Sequence, residues 1–202
     1  MNPNPPDIQD VPYRESGAPG GPGHRRAAAG PVRPSGYFMM AHPAHVMALG
    51  FGSGLSPTAP GTMGTLFAWA VFAVLQHRLT ELQWGLLIGI SIAAGWWACT
   101  LTARHLRVRD PGSIVWDEVV AFWLVLWLIS PTGLGEQLAA FALFRFFDAV
   151  KPGPVAWADR LFHDADPACD PLAWRKAGWG IMLDDLVAAF CTLLVLAAWR
   201  AW

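Results

Sequence analysis

Five carboxylates, Asp117, Glu118, Asp148, Asp184 and Asp185, border or interrupt long apolar runs of a 202-residue chain. A charged side chain at the centre of a membrane helix costs about 2.5–3.5 kcal/mol, and less near the ends. Singly, each can be read as an interfacial residue. Asp184 and Asp185, expected in the first turns of a helix from residue 180, would favour its dipole. Five together repel one another unless something neutralises them. A divalent cation does so, and an all-oxygen ligand set selects magnesium, calcium or manganese over zinc. Each of the five is thus a candidate metal ligand.

Arg145, Asp148 and Lys151 stand three residues apart, a spacing that stacks them on one face of a helix. An anion held between a metal and these cations is the natural guest, and phosphate is the commonest such anion. The plainer alternative is a basic helix end touching lipid headgroups. Residues 50–65, GFGSGLSPTAPGTMGT, add a soft, uncharged segment between apolar stretches. Its backbone N–H groups, little used by regular structure, could form an anion-binding nest. Ser53, Gly54, Thr62 and Gly64 are its candidate substrate contacts; the alternative is a simple turn between two half-helices. His42 and His45 precede the first apolar run, a pairing that is more often interfacial than ligating.

Other motifs fail. Cys169 and Arg175 have the gap of a cysteine-dependent phosphatase loop, but the intervening DPLAW puts Pro and Trp where donating N–H groups are needed. DADPA at 164–168 follows no apolar strand. The 50–65 segment lacks the lysine of a phosphate-binding P-loop and does not match G-x-G-x-x-G.

The elements that must position these residues are written in the hydropathy. The chain is 54% hydrophobic and only 14% charged, with 12 tryptophans, many near the ends of apolar runs where indole favours a membrane interface. A net charge of −1 gives no reason to expect a nucleic-acid partner. Three cysteines without paired spacing argue against a disulfide framework. Residues 1–36, rich in Pro and Gly, are expected to be a disordered tail without the apolar core of a signal peptide. Met39 or Met40 could equally serve as the start.

Residues 37–202 then form one membrane-embedded domain. The uncharged stretch 82–103 is long enough to span a bilayer, and 180–202 makes a second span. The stretches 115–130 and 134–150 are shorter and flank Pro131-Thr132-Gly133, as in a helical hairpin. The run after Gly64 needs part of the Gly/Pro segment to cross, so the first membrane segment is broken. The expected fold is an all-α, polytopic bundle. Placing the loop after residue 103 in the cytoplasm puts 12 of the 14 Lys and Arg residues on that side, leaving Arg78 and Arg200 outside. All five acids and the Gly/Pro segment then fall at the cytoplasmic end, and irregular backbone at that depth is tolerated where it lines a polar cavity.

Four blocks in order, GFGSGLSPTAPGTMGT, GSIVWDE (112–118), FRFFDAVKPGP (144–154) and GWGIMLDD (178–185), resemble the phosphatidylglycerophosphatase A family of bacterial inner-membrane lipid phosphatases. The resemblance runs from about His45 to the last span. It implies a multi-pass enzyme with its site facing the cytoplasm and Mg2+ as cofactor, converting phosphatidylglycerophosphate to phosphatidylglycerol in phospholipid biosynthesis. It also implies that the five carboxylates include the metal ligands and the acid or base, that Arg145 and Lys151 contact phosphate, and that His45, where this family commonly has a histidine, is a substrate contact. Residues 163–177 look like a loop insertion, and the tail is extra. The sequence carries no signal of oligomeric state. The rival reading is a small transporter or ion pathway using an acidic relay, whose acids should lie nearer the bilayer midplane.

Overall fold

A computed structural model describes residues 33–161, 170 and 172–202. Among these residues the fold is all-helical: α1 (Gly36–Met40), α2 (Pro43–Ala48), a kinked 3-10 segment (Gly50–Leu55), α3 (Pro60–Leu75), α4 (Glu81–Leu106), α5 (Trp116–Ile129), α6 (Leu134–Val150), α7 (Pro154–Arg160) and α8 (Ala173–Arg200). The expected tail falls outside the described residues up to residue 32, and its last residue, Gly36, opens α1.

Local chemistry explains the boundaries. Thr80 caps α4 reciprocally with Gln83: the Gln83 N–H donates to Thr80 Oγ1 at 3.3 Å, and the Thr80 N–H donates to Gln83 Oε1 at 2.9 Å. Pro60 and Pro154 open α3 and α7, where a missing N–H costs nothing. Two helices, α4 and α8, are long and apolar enough to cross a membrane, and α3 is a shorter apolar helix.

The centre of the bundle is α5. Val119, Val120, Ala121, Phe122, Val125 and Leu126 have no exposed surface, so this helix is apolar on nearly every side because α3, α4, α6 and α8 surround it. Trp84, Trp116 and Trp123 are core residues rather than interface anchors, with Trp84 and Trp116 each edge-on to Trp123. Their burial is tolerable because the indole N–H groups find acceptors: Trp116 donates to the Ser91 carbonyl at 3.2 Å and Trp123 to the Ala68 carbonyl at 2.9 Å. The outward faces are apolar too, as at Leu82, Leu86 and Ile90 on α4 and Phe190 and Leu194 on α8.

Two expectations need correcting. The last helix starts at Ala173, not near 180, so residues 173–177 of the expected loop insertion are helical; 163–169 and 171 lie outside the described residues. The buried positions Ala173, Ala177, Ile181, Asp184, Ala188, Thr192 and Leu196 form one continuous stripe at helical spacing, which the exposed Arg175 and Lys176 interrupt only in hydropathy. Asp184 and Asp185 therefore sit about three turns inside α8 and are not first-turn residues complementing its dipole. The expected long loop 151–180 also contains α7.

Candidate active site

The ends of three helices and the middles of two others meet at one level. α3 and α5 begin there, α6 ends there, and α4 and α8 pass through, with Gly95 of α4 against Trp116 and Met182 and Thr100 against Gly178. Asp117 and Glu118 lie in the first turn of α5, Asp148 in the last turn of α6, and Asp184 and Asp185 on α8. Glu118, Asp148 and Asp185 each present a carboxylate oxygen, all within 4.8 Å of one another.

Arg145 ties two members of this triad together. Its Nη1 lies 3.0 Å from Glu118 Oε1, 2.6 Å from Asp148 Oδ2 and 3.3 Å from Thr65 Oγ1. The Thr65 hydroxyl accepts that bond and donates to the Gly61 carbonyl at 2.9 Å, linking the start of α3 to the cluster. Thr65 is the last letter of the Gly/Pro block, yet its type gave no reason to single it out.

One guanidinium does not satisfy all these acids. Glu118 Oε2, Asp185 Oδ2, Asp117 Oδ1 and Asp184 Oδ1 are buried without a hydrogen-bond partner. Orphaned carboxylate oxygens in an enclosed site are costly unless a cation or a proton joins them. Three carboxylate oxygens gathered this closely from separate helices are a set that could share one hard cation. The donor set is all oxygen, as a hard cation requires.

A second cluster sits alongside. Lys151 caps α6 with φ of 47°, a left-handed conformation that costs a non-glycine residue roughly 1–2 kcal/mol. This turn takes Lys151 off the helix and away from the expected stack with Arg145. Its Nζ lies 2.6 Å from Asp159 Oδ1 and 2.5 Å from Asp184 Oδ2. Burial alone would lower the lysine's pKa. The hydrogen bonds and charges of Asp159 and Asp184 outweigh it and hold the ammonium above the ordinary lysine range. Asp159, on α7, was not among the expected residues; α7 is too short and too charged to register as an element in hydropathy.

The Gly/Pro segment reaches this site through its glycines. A methyl on Gly61 would collide with Glu118 Oε1 and lie 3.1 Å from Arg145 Nη2; one on Gly64 would lie 3.0 Å from Glu118 Oε2. Gly54 packs against the Ser113 carbonyl, and Ser53 Oγ donates to the Gly50 carbonyl at 2.8 Å, so these two shape the approach to α5. Thr62 is half-buried in the first turn of α3. Three amides of the expected nest are used within the segment: Gly52 and Gly54 donate to the Leu49 carbonyl, each at 3.0 Å, and Ser56 to the Ser53 carbonyl at 3.2 Å. The segment therefore acts by close packing more than by offering N–H groups.

His45 has a different place from the one expected. Its Nδ1 donates to the Phe38 carbonyl at 2.9 Å, and its Nε2 lies 2.8 Å from His105 Nδ1. With Phe38 oxygen able only to accept, His45 is the neutral Nδ1–H tautomer, accepting from His105. Desolvation lowers its pKa, partly offset by the Phe38 carbonyl and reinforced by His42, in keeping with that neutral form. Both nitrogens are occupied inside the protein, and His45 serves as a latch between α1, α2 and α4.

Comparison with known proteins points to one family. The family model Phosphatidylglycerophosphatase A matches residues 46–200. A Phosphatidylglycerophosphatase A of Escherichia coli K12 is 39% identical over 161 residues, covering 78% of this chain and 83% of the relative. One from Haemophilus influenzae is 37% identical over 161 residues, covering 80% and 91%. No solved structure matches the chain.

Proposed function

The chain belongs to the phosphatidylglycerophosphatase A family, and from that premise we propose that it hydrolyses the terminal phosphate of phosphatidylglycerophosphate, yielding phosphatidylglycerol and phosphate. The observation that carries the reading is the convergence of carboxylates from α5, α6 and α8 within 4.8 Å of one another, with Arg145 3.0 Å from Glu118 and 2.6 Å from Asp148, beside Lys151 and its partners Asp159 and Asp184.

Phosphate-monoester hydrolysis is among the slowest uncatalysed reactions, so the site must supply electrostatic stabilisation above all. Glu118, Asp148 and Asp185 would hold a magnesium ion. When bound, the ion neutralises phosphoryl oxygens and makes water more acidic. Arg145, already positioned by Glu118, Asp148 and Thr65, offers its remaining N–H groups to the phosphoryl oxygens. Lys151 supplies a second fixed positive charge. Asp117, with a buried oxygen free of partners, takes the proton of the attacking water or returns it to the leaving glycerol oxygen.

The bundle is a multi-pass protein of the bacterial inner membrane, with α3–α6 and α8 as its membrane segments and the site facing the cytoplasm. Two features support this. The opposite end is closed by its own polar contacts, with Trp127 donating to Glu81 at 2.6 Å and Arg200 to the Ile129 carbonyl at 3.0 Å. From Asp184 to Arg200 the helix rises about 24 Å, against about 30 Å of hydrocarbon, a length in keeping with acids near one interface. That depth favours a headgroup enzyme over an acidic-relay transporter.

Phosphate release from phosphatidylglycerophosphate by purified protein in mixed micelles tests the reading. No release, with the protein folded and magnesium present, rejects it.

A further inference from the structure

α3 and α6 run antiparallel, and their facing sides can be followed away from the candidate phosphate contacts. At the site, Arg145 Nη1 donates to Thr65 Oγ1 at 3.3 Å. One turn further, about 6 Å along each helix, Trp69 stacks on Phe141 with ring centroids 5.7 Å apart. The Trp69 indole N–H donates to Gln137 Oε1 at 2.7 Å and strengthens the same bridge. Against this bridge lies a groove of about 570 Å³. Leu66, Ala70 and Ala73 of α3 and Leu134 of α6, all exposed, give it apolar sides, and Gln76, His77 and Thr132 line its far end.

Resting on the function proposed above, we propose that this groove seats one acyl chain of the phospholipid substrate, so that the lipid enters sideways between α3 and α6.

The lining, the length and the position of the groove select that occupant. No Asp, Glu, Lys or Arg lines it, so an ionic ligand would find no partner there. The buried Gln137 asks nothing of a ligand: its oxygen accepts from Trp69, and its nitrogen donates to the Thr132 carbonyl at 3.3 Å. From Thr65 to Gln76, where α3 ends, the rise is about 16 Å, close to half of the roughly 30 Å of hydrocarbon. That is the depth of one leaflet's tail, and the lining turns polar where such a tail ends. The groove is also continuous with the site, since Leu66 follows the threonine to which Arg145 is bonded. The turn between Arg145 and the Trp69 bridge leaves room for the glycerol and phosphodiester that join the tail to the scissile phosphate. A tail entering the groove exchanges one hydrocarbon surface for another, so it gains little affinity. The groove acts by position instead: a seated tail holds the headgroup near Arg145 and lowers the orientational cost of reaching it.

The test compares full-length wild type with Ala70→Trp and Ala73→Trp, which fill the groove, and with Leu86→Trp on the exposed face of α4 as a control. For each, kcat/KM is measured in mixed micelles on dioleoyl phosphatidylglycerophosphate and on the same headgroup stripped of both acyl chains. Ala70→Trp and Ala73→Trp should lower the value for the dioleoyl lipid at least tenfold and leave that for the deacylated substrate unchanged within twofold. Leu86→Trp should change neither. A dioleoyl value that holds in both groove variants, or that falls in step with the deacylated one, overturns the proposal. A second measurement needs no variant. Wild type is irradiated with phosphatidylglycerol carrying a diazirine on one acyl chain, and the labelled peptides are mapped. Label should fall within residues 66–73 and 134–141 and be displaced by excess phosphatidylglycerophosphate. Label elsewhere, or label there that the substrate does not displace, overturns the proposal. Displaceable label in the groove of a protein that releases no phosphate leaves the groove standing and rejects the hydrolytic reading instead.

Discussion

Gly61 lies directly beneath the Glu118 carboxylate, with no room for a methyl group between the α3 backbone and the acid. In an ordinary helix Gly→Ala would add roughly 1 kcal/mol of stability. Here Gly61→Ala must push Glu118 off Arg145 and out of the triad. We expect turnover to fall at least about 100-fold, the scale of an ångström-sized misplacement. Stability should change far less. Kinetics beside a thermal melt decide it: an active Gly61→Ala enzyme would show that Glu118 need not be where it is found.

Arg145 is ion-paired to Glu118 and Asp148 at once. Arg145→Ala should cost about 2 kcal/mol of stability, the scale of lost hydrogen bonds to charged groups. Arg145→Lys should fall between, because one ammonium cannot reproduce the guanidinium fork. Both variants should lose most of their turnover. Melting curves and phosphate-release assays on the two, side by side, check this.

A divalent cation should stabilise the protein as well as activate it. At 100 times its dissociation constant, a ligand binding only the folded state adds about 2.7 kcal/mol. Magnesium should therefore raise the melting temperature of wild type, and Asp185→Asn should abolish that rise. Chelation should stop turnover; full activity in a chelator would remove the cation from the mechanism.

Lys151 sets an expectation for pH. Its folded pKa is raised above the ordinary value, so the stability it contributes is fully present below about pH 10.4 and is lost as pH rises through the folded pKa. The alkaline limb of the rate profile below that value must then belong to other groups. Lys151→Arg should keep the same limb while changing its height; a limb displaced in Lys151→Arg would contradict this.

Orientation can be read by labelling. In a background with Cys99, Cys169 and Cys191 replaced, Arg107→Cys should react with an impermeant thiol reagent only from the cytoplasmic side, and Arg78→Cys only from the other. Both reacting from one side would break the proposed topology.

Much of the helical framework was legible because apolar length is a direct reading of a chain in lipid. α3 to α6 coincide with the apolar runs to within a few residues of their ends. What escaped had mixed hydropathy. The first turns of α8 carry Arg175 and Lys176 on the exposed side of an otherwise buried stripe, and only the helical period reveals them. α1, α2 and α7 are each under two full turns and hold their places through tertiary contacts such as His45 with His105 and Asp159 with Lys151. The acids were visible because charge in an apolar run is conspicuous. Thr65 and Asp159 were not, because a threonine in a small-residue segment and an aspartate in a polar loop look ordinary until their partners are seen.

Since α8 continues for about 16 Å past Asp184 towards its N-terminal end, the acids are held by a helix anchored on both sides of them and not by a fraying terminus. Fraying at either end of α8 therefore leaves Asp184 and Asp185 in place.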